Sequence, residues 1–278
     1  MYTVGAYFFK EMMNMRKITV IGGDKRIKIT VTELEKKGFA VNTVGLYDDE
    51  EDNTYGDVLL LPVPTTKDGE TVFAPFAKRK IYLSEVADKA DNRLLLTCNY
   101  SFKDKNCIDY GALDSYSLLN AIPTAEGAVK LAIENTSCTL WRSRVLVIGY
   151  GRVGKVLADR LKALGAYVTV SARKPADFAL IKALGFNTIE TKTVSDTLSD
   201  YDIVFNTVDV KVIDEKAFNN CTAKLLIDLS SLGGFDLYTA RDCGITALKA
   251  PGLPGITAPV TAGKILAETV TEILNSHI

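Results

Sequence analysis

Apolar positions along the chain fall into short runs separated by segments in which they recur every three or four residues, and the two patterns alternate. Lys17-Ile18-Thr19-Val20-Ile21 is one such run, ending in Gly22-Gly23-Asp24. Behind it Ile27, Val31 and Leu34 share one helical stripe, and Gly38 stands where a glycine closes a helix. Ala40 to Val44, Asp57 to Leu61 (ended by Pro62 and Pro64) and Arg93 to Thr97 read as three more strands. Thr124 as an N-cap, with Glu126 in the first turn, predicts a helix reaching about Asn135. The alternation then restarts, with strands at 144–148, 167–171, 202–206 and 224–228 and helices at 152–164 and 176–184. Beyond Ile245 a Gly- and Pro-rich loop, Ala250 to Pro259, precedes a helix over 261–275 whose stripe is Ile265, Leu266, Val270, Ile273 and Leu274.

Strands alternating with helices build parallel sheets. The expectation is an α/β protein of two Rossmann-like, doubly wound parallel-sheet domains flanking a cleft. The expected division is an extension over 1–14 with Met15 as a candidate start, a first α/β domain over 15–122, a second over 123–258, and a C-terminal helix over 259–278 able to pack back on the first domain.

Composition narrows the chemistry. The 278 residues are 47% apolar and 24% charged, an ordinary globular balance. Lys+Arg 33 against Asp+Glu 34 argues against a dedicated nucleic-acid binder. No apolar run reaches the ~18 residues of a membrane span, and the patch Val4 to Phe9 is too short for a signal peptide. The five cysteines include no CxxC pair, which reads as reduced thiols in a cytoplasmic protein. The only histidine is His277, so Ser-His and Cys-His mechanisms within one chain are excluded and no metal site is expected.

Gly149-Tyr150-Gly151-Arg152-Val153-Gly154 matches GxGxxG between a strand and a helix, the context a dinucleotide turn requires. Gly149 suits the tight turn, Gly151 lets backbone approach a pyrophosphate, and Gly154 allows close helix–strand packing. The next strand ends in Ser171-Ala172-Arg173-Lys174, without the acid that binds a ribose 2′-OH in NAD enzymes. Arg173 and Lys174 can instead meet a 2′-phosphate, which favours NADP and leaves NAD possible; the alternative is a solvated turn. Asn206-Thr207-Val208 and Asp228-Leu229-Ser230-Ser231 end two further strands and should line the nicotinamide side, or serve as loop caps. In the first domain, the Gly22-Gly23 backbone and Arg26 are candidates for holding a carboxylate, and Asp24 for accepting a proton or orienting a donor. The alternative is an N-cap Asp24 and a solvated helix Arg26. Pro251-Gly252-Leu253-Pro254-Gly255 is either a loop pressing backbone on a ligand or a hinge.

Five segments resemble the dipicolinate synthase A-subunit family of spore-forming Firmicutes: Val20 to Asp24 with Arg26, Leu61-Pro62-Val63, Asn120 to Gly127, the 149–154 turn with Ala172-Arg173, and Ala250 to Gly263. The chain departs from that family's pattern at Val260, where a Lys is expected, and at Ser231-Leu232, where Arg-Pro is expected; each change removes a cation. The resemblance implies an architecture similar to D-2-hydroxyacid dehydrogenases and an oxidoreductase on a branch from lysine biosynthesis. Its substrate would be a small cyclic dicarboxylate, oxidised to dipicolinate with NADP as hydride acceptor during sporulation. It also implies that the flavoprotein-like B-subunit of dipicolinate synthase is the partner in a hetero-oligomer, a homo-oligomer being the alternative. The candidate catalytic residues are Asp24, Arg26 and Ser230, and the candidate substrate contacts Gly23, Arg26, Thr124, Gly252, Pro254 and Gly255. Two other readings stay open: an NADP-dependent reductase of another small carboxylate, and a non-catalytic, dinucleotide-sensing component.

Overall fold

The computed structural model describes residues 17–47 and 54–276; the extension over 1–14, Met15 and His277 lie outside the described residues. In chain order the main elements are β1 (Lys17–Ile21), α1 (Lys25–Lys36), β2 (Ala40–Val44), β3 (Val58–Leu60), α2 (Leu83–Lys89), β4 (Leu94–Thr97), β5 (Cys107–Asp109) and α3 (Asp114–Glu134). They continue with β6 (Arg144–Ile148), α4 (Arg152–Ala163), β7 (Tyr167–Ala172), α5 (Pro175–Ala183), β8 (Asn187–Glu190), α6 (Val194–Thr197), β9 (Ile203–Asn206) and β10 (Leu225–Asp228). The last four are α7 (Leu237–Asp242), β11 (Thr246–Lys249), α8 (Leu253–Thr257) and α9 (Pro259–Ser276).

Two compact units result, one of residues 1–120 with 254–278 and one of 121–253. The divisions therefore fall at Asn120/Ala121 and Leu253/Pro254 rather than at 122/123 and 258/259.

In the first unit every described strand pairing is parallel, in the order β2-β1-β3-β4-β5. The strand β1 buries Ile18, Val20 and Ile21, so it is apolar on both faces, as a central parallel strand must be. The helix α1 buries Ile27, Val31 and Leu34 in the same core as Ile265, Leu266, Val270, Ile273 and Leu274 of α9. Each such side chain contributes about 1.5–3 kcal/mol when fully buried. The α1–α9 contact is close because Gly263 has no side chain: a Cβ there would meet the Arg26 carbonyl and lie 2.7 Å from Ile29 Cβ. Thr30 Oγ1 donates to the carbonyls of Arg26 and Gly263 at 3.0 and 3.1 Å.

In the second unit the parallel order is β11-β10-β9-β6-β7-β8. The chain starts in the centre at β6, runs outward through β7 and β8, and returns to the other side of β6 at β9. The carboxyl ends of β6 and β9 thus flank the switch point where open α/β sheets take ligands.

Thr124 is not a helix N-cap. It lies inside α3, which begins at Asp114 and carries Pro123 in its interior. Ala121, Ala125, Ala128 and Ala132 are fully or almost fully buried at helical spacing, and their packing carries the helix through the proline. The stretch 250–259 is not a loop throughout either: α8 and the first residue of α9 fall within it, with Pro254 and Pro259 in first turns, where their missing N–H costs nothing.

Candidate functional site

The dinucleotide turn belongs to the second unit. Gly149 follows β6 with φ +99°, a conformation that favours glycine, and its N–H donates to Ser171 Oγ at 3.2 Å. A Cβ on Gly154 would strike the Gly149 carbonyl, so the third glycine sets the helix against the turn. Gly151 is the N-cap of α4, and a Cβ there would meet nothing within 4 Å. The first turn of α4 holds no acid, so Arg152 and Val153 begin a helix whose amides and dipole suit an anion. This open space beside a helix N-terminus fits the pyrophosphate of a dinucleotide.

On the β7–β8 side a cavity of about 1320 Å³ is lined by Ala172, Arg173, Phe178, Thr191, Lys192 and Val212, among others. Arg173 and Lys174 are exposed, whereas Ser171 is fully buried. The Ser171 hydroxyl contacts Gly149 N–H and Thr191 Oγ1, so it fastens the turn from behind. An acid does stand near the ribose end: Glu190 pairs in register with Ala172 and lines the same cavity. It is partnered by Lys192 Nζ at 2.6 Å, whose own pKa the Glu190 hydrogen bond raises.

On the β9–β10–β11 side a buried polar cluster closes the strand ends. Asp228 Oδ1 accepts from Asn206 Nδ2 at 2.8 Å, Ser230 N–H at 3.0 Å and Ser230 Oγ at 2.6 Å. Its Oδ2 accepts from Gly234 N–H at 3.1 Å and Lys249 Nζ at 2.9 Å. Burial pushes the Asp228 carboxyl up, but the hydrogen bonds from Ser230, Asn206 and Lys249 outweigh it and hold the group below its ordinary value. Asn206 is fully buried, Thr207 Oγ1 donates to the Ile148 carbonyl, and both Thr207 and Val208 border Gly149. Lys249 is absent from the sequence-derived candidates; its signal is being the one charged residue in the strand Thr246-Ala247-Leu248-Lys249.

In the first unit the turn after β1 works differently from the expectation. The Gly22 and Gly23 N–H groups donate to the carbonyls of Val44 and Phe73, both at 2.8 Å, so they are engaged and cannot cradle a carboxylate. Gly23 has φ +112°, and a Cβ would collide with Ile27; its part is the turn itself. Asp24 is the N-cap of α1, accepting from Arg26 N–H at 3.0 Å. Arg26 is not a solvated helix residue but 4% exposed. Its Nε and Nη2 bind Asp24 at 2.8–3.1 Å, and Nη2 also donates to the Val63 carbonyl at 2.6 Å. Nη1 is the guanidinium nitrogen without a described hydrogen bond. Burial lowers the Arg26 pKa, but the hydrogen bond and charge of Asp24 outweigh it and raise it overall. Around it, burial pushes the Cys98 thiol up to about 12 and the Tyr110 and Tyr116 hydroxyls well above their ordinary value.

The structure brings Gly255 to this pair: a Cβ there would meet Asp24 Oδ2 and lie 2.7 Å from Arg26 Nε. Pro254 precedes it in α8 of the same unit, while Thr124 and Gly252 belong to the second unit. Among the described residues no group of three or more His, Cys, Asp or Glu side chains could hold a metal, and no helix is long and apolar enough to cross a membrane.

These features define a two-unit α/β protein whose second unit carries a dinucleotide-binding turn. Residues 138–231 match a family described as "Putative NAD(P)-binding", and residues 17–104 match the N-terminal domain of the dipicolinate synthase A-subunit. The chain is 32% identical to the dipicolinate synthase A-subunit of Bacillus subtilis, over 95% of this chain and 97% of that one. The crystal structure of the dipicolinate synthase A-subunit from Bacillus halodurans superposes with a TM-score of 0.85 at 31% identity, covering 94% of this chain and 98% of that one. D-lactate dehydrogenase from Escherichia coli shares the fold, with a TM-score of 0.60 at 14% identity over 94% and 96% of the two chains. The chain belongs to the dipicolinate synthase A-subunit family.

Proposed function

We propose that this chain oxidises dihydrodipicolinate, formed from 4-hydroxytetrahydrodipicolinate by loss of water, to dipicolinate, with NADP as the hydride acceptor. The observation that carries the reading is the open Gly151 cradle at the start of α4, together with a cavity in the same unit whose strand end offers Ala172 and Arg173 instead of an acid. Family membership supplies the substrate class. When bound, the nicotinamide supplies the hydride acceptance.

The chain's residues have the rest of the work. The 149–154 turn holds the pyrophosphate, and Arg173, with Lys174 behind it, holds the 2′-phosphate. Lys192 neutralises Glu190, so that carboxylate does not oppose the phosphate. Arg26, oriented by Asp24, presents Nη1 to a substrate carboxylate. The ring loses a hydride and a proton and gains aromatic stabilisation, so the site needs positioning more than a strong base. We place the protein in the cytoplasm of the mother cell of a sporulating bacterium, working with the flavoprotein-like B-subunit of the synthase.

The test supplies the full chain with NADP and enzymatically generated 4-hydroxytetrahydrodipicolinate, with and without that B-subunit, and follows absorbance of the reduced nicotinamide. Its appearance together with dipicolinate supports the reading. A chain that binds NADPH yet oxidises nothing under either condition is a dinucleotide sensor, and the reading fails.

A further inference from the structure

The carboxyl ends of β9, β10 and β11 set Asn206, Asp228 and Lys249 side by side. Asn206 and Asp228 are fully buried, whereas the Lys249 side chain is 28% exposed. Ser230, in the loop after β10, is 4% exposed. Its hydroxyl donates to Asp228 and accepts from Gly233 N–H at 3.1 Å and Lys249 Nζ at 3.4 Å. That hydroxyl has no capacity left and closes the loop; the partly exposed side chain of the cluster is that of Lys249.

Asp228 does not need this lysine to be satisfied. A carboxylate offers about four acceptor sites. Asn206 Nδ2, both donors of Ser230 and the Gly234 N–H already supply four hydrogen bonds from neutral groups. Lys249 is a fifth donor and the one that brings charge. Its ammonium carries three N–H groups; Asp228 Oδ2 and Ser230 Oγ take two, and the third has no partner among the described residues. The result is a cation held at two points with one donor to spare on a partly exposed side chain.

Its position sets what it can serve. The glycine turn follows β6, and the cavity is lined by residues at and beyond the ends of β7 and β8 together with Val210 to Val212 after β9. A dinucleotide whose adenosine occupies that side places its nicotinamide on the other side of the switch point, toward β9 and β10. We propose that Lys249 is a substrate-binding residue whose remaining N–H holds a carboxylate of the substrate at the reacting end of the dinucleotide unit, an inference that rests on the proposed oxidation of a small carboxylate. Asp228 and Ser230 are then positioning residues that fix the ammonium.

The full chain saturated with NADP is titrated with dipicolinate by calorimetry, as the unmodified protein and as Lys249→Met, Lys249→Arg and the double variant Asp228→Asn/Lys249→Met. A charge-assisted hydrogen bond lost from the complex weakens dipicolinate binding about 10- to 100-fold in Lys249→Met. Lys249→Arg recovers part of it, and NADP affinity stays within about twofold throughout. The double variant removes the buried charge together with its partner, so an unpaired buried carboxylate cannot account for a loss, and it shows the same loss. Unchanged dipicolinate affinity in either Met variant overturns the inference, as does loss of NADP binding or failure of both variants to fold, which assigns Lys249 to the architecture. If the unmodified chain binds NADP but not dipicolinate, the dipicolinate reading fails, and pyruvate, malonate and glutarate replace it as probes. A loss in Lys249→Met with whichever of these binds still supports the lysine; no binder among them overturns it too.

Discussion

Replacing Asp24 by Asn tests how the first unit holds Arg26. Asn keeps one oxygen for the Arg26 N–H, so the helix cap survives, while the charge opposite the guanidinium is removed and an amide NH2 replaces the Oδ2 that accepts from Nε and Nη2. Taking one partner from a fully buried ion pair costs about 3–5 kcal/mol, because the other is left charged in a medium that solvates it poorly. Here Asp24 is 20% exposed, and Arg26 keeps the Val63 carbonyl as an acceptor. These features bring the expected loss to about 2–3 kcal/mol. Arg26→Met should cost less, about 1–2 kcal/mol, because the carboxylate it strands can turn to water while the capped N–H remains. The double variant should lose less than the sum of the two, since a neutral pair replaces a charged one. Urea unfolding of the full chain, with amide exchange of α1 as a local readout, measures all three, and NADP affinity should stay constant. A loss below about 0.5 kcal/mol in Asp24→Asn, of the size seen at ordinary surface sites, would refute the reasoning. So would Arg26→Met being the more damaging change, since the asymmetry follows from which partner is the more deeply buried.

Other expectations follow from single features. Arg173→Ala should weaken NADPH binding about tenfold or more and leave NADH almost unchanged, read by fluorescence titration; equal NADH and NADPH affinities in the unmodified chain would remove the basis for NADP. Cys98 is 3% exposed with its thiol pushed up to about 12, so a thiol reagent near pH 8 should label exposed Cys138 and Cys243 promptly and Cys98 only after unfolding. Asp228 has its carboxyl held below the ordinary value, so its contribution to stability is present above the unfolded-state pKa and is lost as pH falls from about 5 through the folded value. Asp228→Asn should flatten that acid limb of the stability curve.

Strands apolar on both faces, such as β1, β6 and β10, stand out in the sequence because a central parallel strand must be apolar throughout. The short β5 and β8 do not, since Cys107-Ile108-Asp109 and Asn187-Thr188-Ile189-Glu190 are half-exposed and carry too few apolar positions to show a period. Pattern alone misplaces the start of α3 at Thr124 because Ile122-Pro123-Thr124 looks like a helix entry, and only tertiary packing of the buried alanines shows otherwise. The glycine turn is legible because its chemistry is backbone chemistry, written in three residues. The Asp228 cluster is not, because Asn206, Asp228, Ser230 and Lys249 come from three strand ends whose adjacency depends on sheet order.

The segment 250–263 shows what a glycine-rich stretch can lie against within its own unit. Its glycines do mark places where backbone comes close to something, as a glycine-rich stretch suggests. Within the first unit, what Gly255 approaches is the Asp24–Arg26 pair, and what Gly263 approaches is the backbone of α1. Gly255 therefore bears on Arg26 itself: with Gly255 against one edge of the guanidinium and Asp24 on Nε and Nη2, the remaining nitrogen is Nη1. A side chain at 255 would push the pair before it touched any substrate. A Gly255→Ala variant should accordingly lose less stability to urea than Asp24→Asn, about 0–2 kcal/mol, the overpacking cost of about 1–3 kcal/mol being partly offset by the roughly 1 kcal/mol that Ala gains over Gly in a helix.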